Sequence, residues 1–203
     1  MKLEKLQIGI LALTVAGATS ASATIINFDD LANGTIPSSY QGFSWSGWAA
    51  FDGLSYQTSY GNTYGGTSAN KFGYNGGGAL IVTTTGGGLF NFNGADVSTW
   101  AQNNSFAGFS SHTLTVKGYN GVTLVGSVTV NLSTTQFLPL VANFNGINKL
   151  EFDNDGTDGH WWLLDNFTYN AAVPEPATVM AGALLLIPIG LSTVRKLRKS
   201  RAA

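Results

Sequence analysis

Two apolar runs without a charged residue, one near each end of the chain, confine its foldable part to what lies between them. Near the N-terminus, Lys2 and Lys5 precede the run Leu6–Ala18, and Ala21-Ser22-Ala23 follows it. A positive start, a short apolar stretch and an A-x-A site are the pattern of a secretory signal peptide. Residues 1–23 are therefore expected to be removed after Ala23, leaving Thr24 as the first mature residue. Thirteen residues are short for a membrane span of about 20, which weighs against a retained N-terminal anchor.

Near the C-terminus, Val173-Pro174-Glu175-Pro176 precedes 177–194, a stretch with no charge, and then a basic cluster of Arg195, Lys196, Arg198, Lys199 and Arg201. At about 1.5 Å per residue, the apolar stretch as a helix covers about 27 Å, close to the hydrocarbon thickness of a bilayer. Terminal basic residues place that end in the cytoplasm, so the preceding domain lies outside, in agreement with the signal peptide. The order of Pro-Glu-Pro, apolar span and basic end resembles the PEP-CTERM sorting tail of Gram-negative bacteria. The resemblance covers 173–203. It implies export through the secretion translocase, transient anchoring in the inner membrane and recognition by an exosortase-type protease. Delivery to the cell surface or an exopolysaccharide matrix follows. The alternative is a permanent single-span anchor with a Pro-rich hinge.

The intervening region, 24–172, is charge-poor and acidic. It has three lysines and no arginine against eight aspartates and one glutamate, a net charge of −6. Such a surface repels phosphate backbones and excludes a nucleic-acid partner. The absence of cysteine excludes disulfides and thiolate chemistry.

Short apolar or alternating runs separated by Gly, Asn, Asp and Ser predict strands at Thr24–Phe28, Gly42–Trp48, Ala79–Thr84, Gly88–Phe92, Thr113–Tyr119, Val122–Leu132, Ile147–Phe152 and Trp161–Tyr169. Asn120-Gly121 predicts a type I′ hairpin joining Leu114 and Val116 to Val128 and Val130, with a bulge near Gly126. The expected fold is all-β, an antiparallel β-sandwich of jelly-roll type, flanked by the signal helix and the transmembrane helix. Tyr56–Gly88, rich in Gly and Tyr, reads either as disorder or as a loop over one sheet with Tyr60, Tyr64, Phe72 and Tyr74 packed down. Ile26-Asn27-Phe28-Asp29-Asp30, Leu114-x-Val116-x-Gly118-Tyr119 and Leu164-Asp165-Asn166-Phe167 resemble the galactose-binding-like sandwiches.

Catalytic material is sparse. There are two histidines, His112 and His160, and neither G-x-S-x-G nor H-E-x-x-H occurs. The chain is expected to be non-enzymatic and to require no cofactor, with a secreted hydrolase the remotest reading. A structural calcium ion is one candidate. Asp153, Asp155 and Asp158 fall in one tight, glycine-containing turn, and calcium takes six to eight oxygens. A second candidate is Asp165, which alternation sets on one face with Trp161, Leu163, Phe167 and Tyr169. A carboxylate there needs a cation, backbone donors or a bulge that turns it outward. If the first and last strands pair, Asp29 or Asp30 could share that ion. Trp45, Trp48, Trp161 and Trp162 are the candidate glycan contacts of a carbohydrate-binding module, the main alternative to a passive surface protein associated with exopolysaccharide.

Overall fold

The computed structural model describes residues 22–55, 68, 71–75, 80–100, 108–154 and 160–171. The signal segment, the sorting motif, the 177–194 stretch and the basic end lie outside these residues. So do Asp155, Asp158, Tyr60 and Tyr64. Among the described residues no helix is long and apolar enough to cross a membrane.

Residues 21–172 form one compact unit of antiparallel ladders. Its strands in chain order begin with β1 (Thr24–Ile26), β2 (Gly34–Thr35), β3 (Phe43–Ser46) and β4 (Trp48–Asp52). Then come β5 (Lys71–Asn75), β6 (Leu80–Thr84), β7 (Phe90–Thr99) and β8 (Thr113–Asn120). Last are β9 (Thr123–Asn131), β10 (Leu138–Ile147), β11 (Lys149–Asn154) and β12 (Trp162–Ala171). One sheet runs β10-β7-β12-β5-β4-β2, with β1 also paired to β12; the other runs β3-β6-β11-β8-β9. The expected antiparallel sandwich is present, and its first and last strands do pair.

The core lies between the sheets and is strongly aromatic. Trp48 meets Trp162 edge-on at 5.1 Å and Phe152 at 5.3 Å, and Trp45 meets Trp48 at 5.5 Å. Edge-to-face pairs of this kind add to the burial term, which is about 2–3 kcal/mol for each fully buried large side chain.

Strand β8 shows how alternation builds this core. Leu114, Val116 and Gly118 are buried while the residues between them face out. Leu114 pairs with Val130 and Val116 with Val128, as the hairpin reading expects. The turn sits one residue later than expected. Asn120 pairs with Thr123, so Gly121 and Val122 are the central residues, and Gly121 has φ +60°. Among non-glycine residues described, only Phe28, Gln41, Asn143 and Asn166 have positive φ. A positive φ at the first central position alone is the II′ pattern, not I′. The extra residue on β9 lies beside Gly126, between the pairs Gly118–Gly126 and Tyr119–Leu124.

The run Gly42–Trp48 is two strands rather than one. Gly47, at φ +81°, turns the chain from β3 in the smaller sheet to β4 in the larger. Two strands within the Gly- and Asn-rich stretches, β5 and β10, do not stand out in the sequence. Pro139 is tolerated in β10 because β10 is an edge strand.

Candidate functional site

The crossing at Gly47 decides the fate of two sequence candidates. On a single strand Trp45 and Trp48 would face opposite ways. Because each lies in a different sheet of the sandwich, both point into the core, at 3% and 1% exposure. Trp162 is fully buried with them. Trp45, Trp48 and Trp162 are therefore corrected from glycan contacts to core residues. Of the four candidates, Trp161 alone is outside the main core and half-buried.

Trp161 belongs to an aromatic strip on the outer face of the larger sheet. Ring centroids follow one another from Phe109 to Trp161 (5.8 Å), Trp100 (4.9 Å), Tyr74 (5.0 Å) and Phe51 (6.0 Å). Trp100 of this strip is buried together with Phe72 and Leu163, while Phe51, Tyr74 and Trp161 are half-buried. Phe72 and Tyr74 thus pack down, as one reading of 56–88 expects, but as members of β5 rather than of a loop. Trp161 and Phe109 are stacked at an interplanar angle of 24°, and Phe109 is 49% exposed.

The backbone around Trp161 is held tightly. Its N–H donates to the Phe109 carbonyl at 2.7 Å, and its carbonyl accepts from Ser111 N–H at 3.0 Å. Asn75, fully buried, accepts from Trp162 N–H at 2.8 Å and donates to the His160 carbonyl at 3.0 Å. Asn154 donates to the same carbonyl at 2.7 Å. Losing a buried amide partner of this sort costs about 1–3 kcal/mol for each orphaned group, so Asn75 orders both the strand start and the ring beside it.

The acidic candidates are dispersed. A register shift follows Asp165, where Asn166 takes φ +49°. It moves Phe167 and Tyr169 to the inner face while Leu163 and Asp165 stay on the outer one. The expected single face of Trp161, Leu163, Asp165, Phe167 and Tyr169 is corrected accordingly. The bulge is present, yet Asp165 stays buried. Its carboxylate accepts from Ser68 N–H at 2.9 Å, Ser68 Oγ at 3.2 Å and Asn166 N–H at 2.7 Å. Such donors offset the desolvation of a buried carboxylate. Its partner across the ladder is Asp96, which the sequence reading did not single out and which accepts from Asn166 Nδ2 at 2.9 Å.

Asp29 accepts from Lys71 N–H at 3.4 Å, and Asp30 accepts from the Tyr40 hydroxyl at 2.5 Å. Burial, then the Asp30 hydrogen bond and charge, push the Tyr40 phenol well above its ordinary range. Asp153 pairs with Lys117 at 3.4 Å. Beside it, Lys149 at 2.7 Å holds the Glu151 carboxyl below the usual range and lies over the Tyr119 ring. Among the described residues no three His, Asp or Glu side chains converge on one point as a metal set would. His112 is exposed, whereas its neighbours Ser110 and Ser111 are buried.

Around Gly94 the same outer face has an open groove of about 400 Å³, lined by Ile25, Asn93, Asp96, Leu140, Asn166 and Thr168 among others.

No protein-family model matches the chain, and no curated protein does. Among solved structures, the K2 cleaved adhesin domain of Lys-gingipain matches at 11% identity and a TM-score of 0.45, over 73% of this chain and 99% of that one. The K3 adhesin domain of Lys-gingipain from Porphyromonas gingivalis w83 matches at 14% identity and a TM-score of 0.36, over 73% and 98%. TmCBM61, in complex with beta-1,4-galactotriose, matches at 9% identity and a TM-score of 0.38, over 65% and 90%.

Proposed function

We propose that this chain is an exported, non-enzymatic surface or matrix protein whose sandwich holds polysaccharide on the aromatic strip of its larger sheet. The supporting observation is the stacked pair of Phe109 and Trp161, with Phe109 half-exposed at the end of a row of rings. Leaving aromatic area in water forgoes burial energy, and a sugar ring's C–H face recovers it by stacking. The net charge of −6 disfavours anionic glycans, so the ligand class is a neutral polysaccharide.

The test is affinity electrophoresis of the exported protein in gels containing neutral glucans or galactans. Trp161→Ala and Phe109→Ala are each expected to weaken retention about tenfold, the equivalent of about 1.4 kcal/mol. Val141→Ala, exposed on β10 far along the sheet, is expected to leave it unchanged. Equal retention of all three variants would remove the strip from the binding role.

Export and sorting rest on the terminal segments. Replacing Pro174-Glu175-Pro176 by three alanines is expected to leave the chain in the inner membrane with its tail attached, as read by fractionation and mass spectrometry. Undiminished release would make the tripeptide a hinge before a simple anchor.

A further inference from the structure

A β-sandwich has four sheet edges, and an unprotected edge is a template for pairing with another strand. In this protein three edges are blunted. Strand β2 is two residues long and β3 is four. Strand β10 has Pro139, Asn143 at positive φ and two register shifts against β7. The fourth edge, β9, is blunted by none of these beyond a single register shift against β8. It spans nine residues, Thr123–Asn131, with no proline and no charge. Its one irregularity lies near the hairpin end, so Gly126–Asn131 runs in register with β8. Leu124 and Val125 are 52% and 45% exposed, and Val122 at the turn is 97% exposed. Val128 and Val130 pack on the core yet remain only half-buried, and among the described residues no strand is hydrogen-bonded to β9 on the side away from β8.

The charge distribution indicates what would cover this edge. No Asp, Glu, Lys, Arg or His occurs between Lys117 and Lys149, a stretch that includes β9 and β10. The domain's net charge of −6 lies wholly outside this stretch, so two copies that meet along β9 bring no like charges of β9 or β10 together. An antiparallel strand pair about a two-fold axis is self-complementary: the same residues meet from both copies.

We propose that β9 pairs antiparallel with β9 of a second copy of this chain, joining the two smaller sheets into one continuous sheet. The buried area is less than that of a standard interface of about 1,600 Å², so the dimer is weak in solution. Tethering to one surface raises the local concentration and makes such a contact effective.

The chain has no cysteine, which makes a clean test available. Single cysteines are placed in turn at Thr123–Asn131 of the full chain in an exporting host, and cross-linking is read after mild oxidation. The expected result is a cross-linked dimer peaking at one or two neighbouring β9 positions and falling off on both sides. Val141→Cys on β10 and Ile81→Cys on β6 are expected to stay monomeric. In a second measurement, Val125→Lys in a cysteine variant at the peak is expected to lower the cross-linked fraction at least tenfold. No cross-link along β9, equal cross-linking at Val141, or no effect of Val125→Lys would each overturn the pairing. None of these readouts involves a glycan, so the outcome is separate from that of the polysaccharide reading.

Discussion

Gly94→Ala is expected to destabilise the domain by about 4 kcal/mol, the sum of a strained backbone and a blocked contact. Gly94 has φ +154°, and a Cβ built there would lie 2.0 Å from the Leu140 carbonyl oxygen. The obstacle is backbone, so no side-chain rotation relieves it. The position is also where the larger sheet changes register. Strand β10 shifts against β7 after Val141–Gly94, and β12 shifts against β7 on both sides of Thr168–Gly94. Moving the carbonyl would disturb three strands together. In a domain of this size the loss corresponds to a fall in melting temperature of roughly 10–15 °C. A thermal melt checks it; a change below about 1 kcal/mol would mean that β10 swings away from β7 freely.

The second large effect is expected at Phe144, which closes the β9–β10 side of the sandwich. Gly118 and Gly126 are partners across the β8–β9 ladder, and a Cβ on either would approach the Phe144 ring to 2.6 Å. The two glycines are thus explained by close approach of a ring, not by φ. Phe144→Ala is expected to cost about 3–4 kcal/mol, as for other buried phenylalanines. Gly126→Ala alone is expected to cost about 2 kcal/mol through overpacking. In the Phe144→Ala background the same change is expected to cost nothing or to stabilise slightly, since alanine suits a strand better than glycine. The coupling of about 2 kcal/mol, read from a denaturant double-mutant cycle, is the signature of direct contact. Additive losses would show that the ring is held by something other than these glycines.

These glycines illustrate what could be read in advance. Gly121 was legible because a turn needs a positive φ, and its neighbours alternate cleanly on both sides. The pairs Leu114–Val130 and Val116–Val128 followed directly from that local pattern. Gly47, Gly94 and Gly126 look no different in sequence, yet one moves the chain between sheets, one passes under a carbonyl and one receives a ring. Nothing in the residues next to them signals the distant partner that requires a glycine.

The candidate site divides in the same way. Period-two alternation extends only as far as a strand keeps its register. It therefore predicted the β8 faces correctly and the β12 faces only up to Asp165. Beyond the bulge at Asn166, Phe167 and Tyr169 turn inward, and Asp165 meets Asp96 and Ser68, from parts of the chain far away in sequence. Local composition by itself determined the all-β class, the hairpin, the acidic and charge-poor surface and the shortage of catalytic groups. The tertiary structure alone decided which tryptophans are core and which one borders solvent, because a side chain's exposure depends on what the opposite sheet places over it.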